Sequence, residues 1–247
     1  MMYNSTQFLS VKQSILFAFT LIVSANVFAT EATALPSEKT TLPQSPTELP
    51  SQSSAILVNE KDPYAMIETV AKVTFKRFAD ENENIKTNPN LLKDIVREEL
   101  MPYINYKYAA YKVIGSQLKK TSKDERDAFV VVFRDYLVTS YAQVFTLYDN
   151  QEVQFAPSRN FADKKIVAVN TLVLMPGRDD IDIAFKVRRN RKTNEWKAFD
   201  MVAEGVSLLD SKQAELGSII RQKGLTHVTE LLKEKSQRNI VFKASKG

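Results

Sequence analysis

The sequence predicts an α+β fold, because helical patterns lie at both ends of the folded part and strand patterns lie between them. Apolar side chains recur at helical spacing over about 62–148 and again over about 210–240, whereas they alternate over about 153–202. The chain has 247 residues, of which 44% are hydrophobic and 26% charged. That balance is typical of a globular protein with one large domain or two small ones.

Residues 1–29 are predicted to form a secretory signal peptide. Lys12 is the only charged residue there, and it precedes an apolar run over 15–23. Val27 and Ala29 occupy the −3 and −1 positions of a signal-peptidase site, so cleavage is expected near Ala29. The run is too short to span a bilayer, which takes about 20 apolar residues. We expect an exported protein of the Gram-negative periplasm, with an uncleaved anchor as the alternative.

Residues 30–61 are predicted to be a flexible linker, since four prolines interrupt a segment rich in Ser, Thr, Gln and Glu. Asp62 and Pro63 then provide an N-cap and a first-turn proline, which mark the start of the folded domain at 62–242. We expect a helical part over about 62–120 and 206–240. A sheet and one long helix should occupy about 121–205.

Four helices are expected before the sheet. The first carries an apolar face, the second opens at Asn88-Pro89 and ends at Met101-Pro102, and the third covers about 103–118. Ser122 and Glu125 form a capping box for a long fourth helix. The apolar face of the first helix consists of Tyr64, Ile67, Ala71, Phe75 and Phe78.

The central segment is predicted to be an antiparallel meander. Val153 and Phe155 indicate a short strand, and 166–175 is almost wholly apolar, so both of its faces should be covered. After a turn at 176–180, apolar and polar residues alternate over 181–188, and a second turn leads into a strand over 196–202. Gly205 marks the point at which the chain leaves the predicted sheet. Two final helices are expected, one from about Asp210 to Gly224 and one capped by Thr226.

The chemical inventory excludes several classes of site. With no cysteine and only one histidine, His227, the chain has no disulfide, no Cys-ligated metal and no thiol nucleophile, and a His-rich metal site is not expected. Its six glycines form no phosphate-binding loop, and a net charge of +5 without a basic stripe does not indicate nucleic-acid binding. Asp200 and Glu204 are the best acid–base candidates, although capping or hydrogen-bonding roles are more common for such residues. We predict no catalytic residues, no metal site and no cofactor.

The chain has more bulky apolar residues than are needed to fill a core between two packed layers. If the sheet curves around the long helix, its inward residues would line a cavity, although periodicity alone favours a filled core. On the helix, the candidate residues are Phe133, Leu137 and Tyr141. On the sheet, they are Val167, Val169, Val173, Ile183, Phe185, Val187, Phe199 and Met201.

Four segments resemble those of a known family, the periplasmic phospholipid-binding proteins of the Mla system (MlaC), also called toluene-tolerance proteins. The resemblance runs from about 62 to 240, and its order and spacing are more specific than any single piece. The segments are LMPY at 100–103, KYA at 107–109, FRDYL at 133–137 with Tyr141, and WKAFDMVAEGVS at 196–207.

The resemblance implies a soluble carrier that holds acyl chains in an apolar cavity, moves glycerophospholipids between the outer and inner membranes and maintains outer-membrane lipid asymmetry. It implies a curved antiparallel sheet wrapped around helices, like that of nuclear transport factor 2, with a helical subdomain. The implied partners are an outer-membrane lipoprotein–porin complex and an inner-membrane ABC transporter complex. Two alternatives remain at this point: an enzyme in which Asp200 or a tyrosine acts as a base on a small apolar substrate, and an adaptor that binds no ligand.

Overall fold

The computed structural model describes residues 57–242, so the signal peptide predicted at 1–29 and most of the linker predicted at 30–61 lie outside the described residues. The last residues assigned to the linker are already attached to the fold. Val58 packs against the apolar cluster beneath the sheet, and the carbonyl oxygen of Glu60 accepts a hydrogen bond from the amide of Trp196 at 2.7 Å. The folded part therefore begins a few residues before Asp62.

Helices form both ends of the described chain. Short extensions follow two of them: α3 continues as a π-helical turn (Val96–Leu100) and a 3₁₀ turn (Met101–Tyr103), and α4 continues as a 3₁₀ turn (Gly115–Lys120). The α-helices are α1 (Pro63–Asp80), α2 (Asn82–Thr87), α3 (Leu91–Ile95), α4 (Tyr106–Ile114), α5 (Lys123–Phe145), α6 (Leu208–Lys223) and α7 (Leu225–Ser236).

The predicted starts of α1 and α5 are confirmed. The Asp62 side chain accepts hydrogen bonds from the amides of Tyr64 and Ala65 at 2.9 and 3.1 Å. Ser122 and Glu125 form the reciprocal capping box, which satisfies two amides that would otherwise lack partners at the N-terminus of α5. Both signals act within one helical turn, so they do not depend on the rest of the fold.

Two helix boundaries differ from the prediction. The second helix does not end at Met101-Pro102 but tightens into the turns that reach Tyr103. The last helix is not capped by Thr226. It begins at Leu225 directly after Gly224, whose φ of 87° provides the reversal, and the Thr226 hydroxyl instead lies 3.3 Å from Glu125 Oε1. The short helix α2 was not predicted.

The sheet is an antiparallel meander, as predicted. Five strands follow one another in the order β1 to β5, so each strand pairs with its neighbour in sequence. The strands are β1 (Val153–Phe155), β2 (Ile166–Val173), β3 (Ile181–Arg189), β4 (Trp196–Ala203) and β5 (Val206–Ser207). Helices before and after a meander establish the predicted α+β class.

The prediction that both faces of β2 are covered is wrong. Val167, Val169 and Thr171 are buried, but Ile166 is 47% exposed and Ala168 faces solvent beside it. The face of β2 that carries Ile166 and Ala168 is open to solvent, as an antiparallel sheet allows on one side. The apolar residues of β2 therefore occupy both an inner and an outer face.

Two apolar clusters hold the fold together. The larger lies among the helices, where α5 packs most extensively on α7 and also contacts α4. The smaller lies under one end of the sheet, where α1 packs against β2, β3 and β4. Its buried members are Tyr64, Met66, Ile67, Val70, Val167, Val169, Val187, Trp196 and Ala198. Within residues 57–242, no helix is both long and apolar enough to cross a bilayer.

Candidate functional site

A cavity of about 260 Å³ lies between the sheet, α1 and the C-terminal end of α5. Almost every residue around it is apolar or aromatic. The residues of the helices and of the segments that directly follow them are Ile67, Val70, Ala71, Thr74, Phe75, Leu100, Tyr103, Ile104, Tyr141, Val144, Phe145, Leu147, Tyr148 and Leu208. The residues of the sheet and its loops are Gln151, Val153, Phe155, Thr171, Val173, Met175, Ile181, Ile183, Phe185, Ala198, Phe199, Asp200, Met201 and Ala203.

The cavity exists because α1 covers only one end of the inner sheet face. Val169 is paired with Phe185, and Phe185 with Met201, so these three side chains share a face. Val169 is 1% exposed beneath α1, whereas Phe185 and Met201 are only partly buried although they lie in the middle of the sheet. Apolar side chains at the centre of a sheet normally have a complete partner layer, whereas Phe185 and Met201 border the cavity.

An aromatic cluster closes the cavity between α1 and α5. The ring of Phe75 stacks on Tyr148, with centroids 4.5 Å apart, and Phe78 contacts Phe145 at 4.8 Å. Phe75, Phe145 and Tyr148 also line the cavity. The last turns of α5 therefore form the wall opposite the sheet, and they meet α1 through large side chains.

The threonines in the wall already have hydrogen-bond partners. The Thr74 hydroxyl donates to the carbonyl oxygen of Val70 at 2.7 Å, and the Thr171 hydroxyl donates to that of Ile183 at 3.2 Å. Since a buried polar group costs free energy mainly when it is left without a partner, these hydroxyls need no polar ligand. The cavity suits an apolar guest.

Asp200 joins the sheet to the start of α6. Its carboxylate accepts hydrogen bonds from Lys186 Nζ at 2.9 Å, from the Ser207 hydroxyl at 2.7 Å and from the amide of Leu209 at 3.0 Å. Only 2% of its side chain is exposed. Three donors on one buried carboxylate favour a role in fixing the corner between β4 and α6 over the role of a catalytic base.

The negative charge of Asp200 also acts on Tyr141 in the cavity wall. Burial raises the pKa of Tyr141 to about 12, and the negative charge of Asp200 and the neighbouring Tyr136 add to the increase. Its hydroxyl therefore stays protonated at neutral pH. Almost no phenolate is then present to accept a proton, which weakens the interpretation of Tyr141 as a catalytic base.

Six of the eleven side chains predicted to line a cavity do so: Tyr141, Val173, Ile183, Phe185, Phe199 and Met201. Whether these six contact a ligand stays a prediction. The other five lie in solid core. Phe133 and Leu137 face the helical cluster, where Phe133 stacks on Phe129, and Val167, Val169 and Val187 lie under α1.

These five residues lie in core and not at the cavity because of contacts between segments that are far apart in the sequence. Phe133 and Leu137 lie on a helix that is apolar on several sides, and its sequence does not tell which side meets α7. Val167, Val169 and Val187 have the predicted inward orientation, but α1 packs directly on them, so they do not border the cavity. The wall residues of α1, and Val144 and Phe145 in the last turn of α5, were not predicted, although the apolar spacing of Ile67 and Phe75 was visible in the sequence.

No metal site accompanies the cavity in the described part of the chain, where no group of three or more His, Cys, Asp or Glu residues could hold an ion. His227 lies on α7 beside Glu230 and Leu231, in a shallow surface depression away from the cavity. The arrangement around the cavity can enclose an apolar molecule, and the hydroxyls of Thr74 and Thr171 and the carboxylate of Asp200 have partners within the protein.

Comparisons with known proteins agree with this description. The family model of the MlaC protein matches residues 68–234. The intermembrane phospholipid transport system binding protein MlaC of Haemophilus influenzae is 31% identical over 186 residues, which cover 75% of this chain and 87% of that protein. The structure of a phospholipid-binding protein from Ralstonia solanacearum, in complex with a phospholipid, is similar with a TM-score of 0.63 and 19% identity. That match covers 71% of this chain and 97% of the other.

Proposed function

Because the chain belongs to the MlaC protein family, we propose that it is a phospholipid carrier that encloses acyl chains in the cavity beneath its sheet. The cavity carries this proposal: it is apolar, and the polar groups described in its wall have partners within the protein. The relative from Haemophilus influenzae is named for intermembrane phospholipid transport, and the similar structure from Ralstonia solanacearum holds a phospholipid.

The free energy of transfer makes the proposal physically reasonable. Moving one methylene group from water to an apolar site contributes about 0.8 kcal/mol, so ten enclosed methylenes contribute about 8 kcal/mol before ordering costs. A head group that stays in water needs no dedicated receptor, which agrees with the lack of a phosphate-binding loop in the sequence. Affinity would then come from the acyl chains.

The family and the sequence together support a cellular setting. We infer that the protein works in the periplasm after cleavage near Ala29, and that it exchanges lipid with an outer-membrane lipoprotein–porin complex and an inner-membrane ABC transporter complex. The chain has no phosphate-binding loop, so the energy for directional transport would come from its partners. Its cargo would leave chemically unchanged.

A pair of aspartate substitutions tests the carrier proposal. Phe185→Asp places a carboxylate on the cavity wall, where an unpaired charge costs several kcal/mol next to an acyl chain. Ala168→Asp adds the same group to the exposed outer face of β2. Each protein is purified from a Gram-negative host, checked for folding by circular dichroism and extracted with organic solvent for lipid mass spectrometry.

We expect phospholipid in the wild-type and Ala168→Asp extracts and little in the Phe185→Asp extract. If Phe185→Asp fails to fold, Phe185→Ser replaces it, because serine adds polarity without a charge. Folded cavity variants that retain as much phospholipid as wild type, or a wild-type protein that contains none, would contradict the proposal.

A further inference from the structure

Basic side chains are concentrated at the end of the sheet where β2 and β4 begin and β3 ends. We call residues 159–165 and 188–197 the basic end; they contain eight Lys or Arg residues and two acidic ones. The resulting net charge of +6 exceeds the +5 of the whole chain, so the remainder of the chain is close to neutral. The eight basic residues are Arg159, Lys164, Lys165, Arg188, Arg189, Arg191, Lys192 and Lys197.

The strand register brings these residues together. Arg188 is paired with Ile166 on β2 and with Lys197 on β4, and the amide of Arg189 donates to the carbonyl oxygen of Lys165 at 3.0 Å. Neighbouring strands lie about 4.8 Å apart, so the basic residues at the ends of three strands form one continuous surface. The turn between β3 and β4 and the segment before β2 extend that surface.

The positive charge of the basic end is not neutralised within the protein. Among residues 57–242, none of the eight basic side chains forms an ion pair with a carboxylate. The guanidinium of Arg188 lies 4.7 Å from the ring centroid of Tyr108, and that of Arg189 lies 5.6 Å from that of Trp196. Contacts with aromatic rings orient these two side chains and leave their charge in place.

The composition of the basic end fits a membrane surface. Five of its eight basic residues are exposed, and Ile166, which is 47% exposed, lies beside Arg188 on the outer face of the sheet. Lys and Arg are attracted to anionic head groups, and an apolar side chain among them can enter the head-group region. An acidic protein would need carboxylates at matching positions, whereas a bilayer presents phosphates along its whole surface. A broad array of cations therefore favours a bilayer.

The basic end is separate from the cavity. None of its basic residues lines the cavity, and the eight steps along β3 from Ile181 in the cavity wall to Arg189 correspond to about 27 Å. This distance is more than three times the Debye length of about 8 Å at physiological ionic strength. The turn at 178–182, at the opposite end of the sheet, contains three acidic residues and one basic one. An anionic bilayer would therefore orient the protein with the basic end towards the lipid.

We propose that the basic end of the sheet is a binding site for anionic phospholipid bilayers, which holds the protein at a membrane surface without the help of another protein. This inference goes beyond the proposed carrier function, because binding at the basic end needs neither the cavity nor its cargo. The protein would be concentrated at anionic membranes both when it is loaded and when it is empty.

Flotation of the purified protein with two kinds of vesicle tests this inference. The first consists of phosphatidylcholine alone, and the second contains phosphatidylglycerol as well. The basic-end variant replaces three exposed lysines by glutamine: Lys164→Gln, Lys165→Gln and Lys192→Gln. A matched control makes the same change at three exposed lysines of α4, α6 and α7: Lys112→Gln, Lys223→Gln and Lys233→Gln. Circular dichroism checks that all proteins are folded.

We expect wild type and control to bind the phosphatidylglycerol vesicles and not the phosphatidylcholine vesicles, and to be released at high salt. Each Lys near an anionic surface strengthens binding about fivefold, so the basic-end variant should bind about 100-fold more weakly than the control. Equal binding of wild type to both kinds of vesicle, or equal affinities of the two variants, would overturn the inference. Wild type that binds soluble oligoglutamate but not the phosphatidylglycerol vesicles would assign the basic end to an acidic protein, and would overturn it too.

Discussion

Replacing Ile183 by tryptophan should block the cavity without damaging the fold. Ile183 lies on the cavity wall and is only partly buried, so an indole ring has space of about 260 Å³ to enter. Tryptophan would bury roughly 60 Å² more apolar surface than isoleucine, which contributes about 1.5 kcal/mol to the stability of the lipid-free protein. The same ring would occupy the space that an acyl chain needs.

The matched substitution is Val169→Trp on the neighbouring strand. Val169 is 1% exposed and lies with Met66 and Trp196 in the cluster under α1, so a larger side chain must displace its neighbours. Overpacking of this kind costs about 1–3 kcal/mol. The two positions therefore have opposite expected effects on stability although both are apolar residues on the inner sheet face.

Lipid content by mass spectrometry and urea-denaturation midpoints distinguish the two cases. We expect Ile183→Trp to be folded, at least as stable as lipid-free wild type, and empty of phospholipid. Val169→Trp should unfold at lower urea. A folded Ile183→Trp protein with full lipid content would refute the assignment of the cavity, and a marked loss of stability in that variant would show that the space is filled core.

Two further predictions concern the polar groups near the cavity. Asp200→Asn should lower the free energy of unfolding by about 2 kcal/mol, because it removes the charge opposite Lys186. The control Asp210→Asn, at an exposed position, should change that free energy little in the same urea titration. Equal stability of the two variants would contradict the role of Asp200 in fixing the corner between β4 and α6. For Tyr141, both folded and unfolded forms are protonated below pH 10, and between pH 10 and about 12 only the unfolded chain loses the proton. Wild type should therefore lose about 2–3 kcal/mol of stability across that window relative to Tyr141→Phe, and parallel pH profiles of the two proteins would show that burial does not hold this proton.

Local signals in the sequence predicted the elements well. Asp62 and Ser122 cap helices through contacts within one turn, and strand alternation from Ile181 onward sets the inner face of β3. These features depend on residues at most a few positions apart. The α+β class and the order of the meander follow from them directly.

The position of the cavity depends on contacts between distant segments. Val169 and Ile183 have the same inward pattern, yet α1 covers the first and leaves the second facing empty space. Similarly, Phe133 and Tyr141 both lie on apolar sides of α5, but Phe133 is enclosed by the helical cluster, whereas Tyr141 packs against that cluster and also borders the cavity. The resemblance to a family of lipid carriers indicated that a cavity should exist, but it did not assign its walls.

The central claim is that acyl chains lie against the inner sheet face beneath α5. Nuclear Overhauser contacts between ¹³C-labelled acyl methylenes and methyl groups of the loaded protein test it most directly. We predict contacts to the Met201 and Ile183 methyl groups and none to Ile166 on the outer face. Bound phospholipid whose methylenes contact Ile166 while Met201 and Ile183 give no contacts would contradict the account.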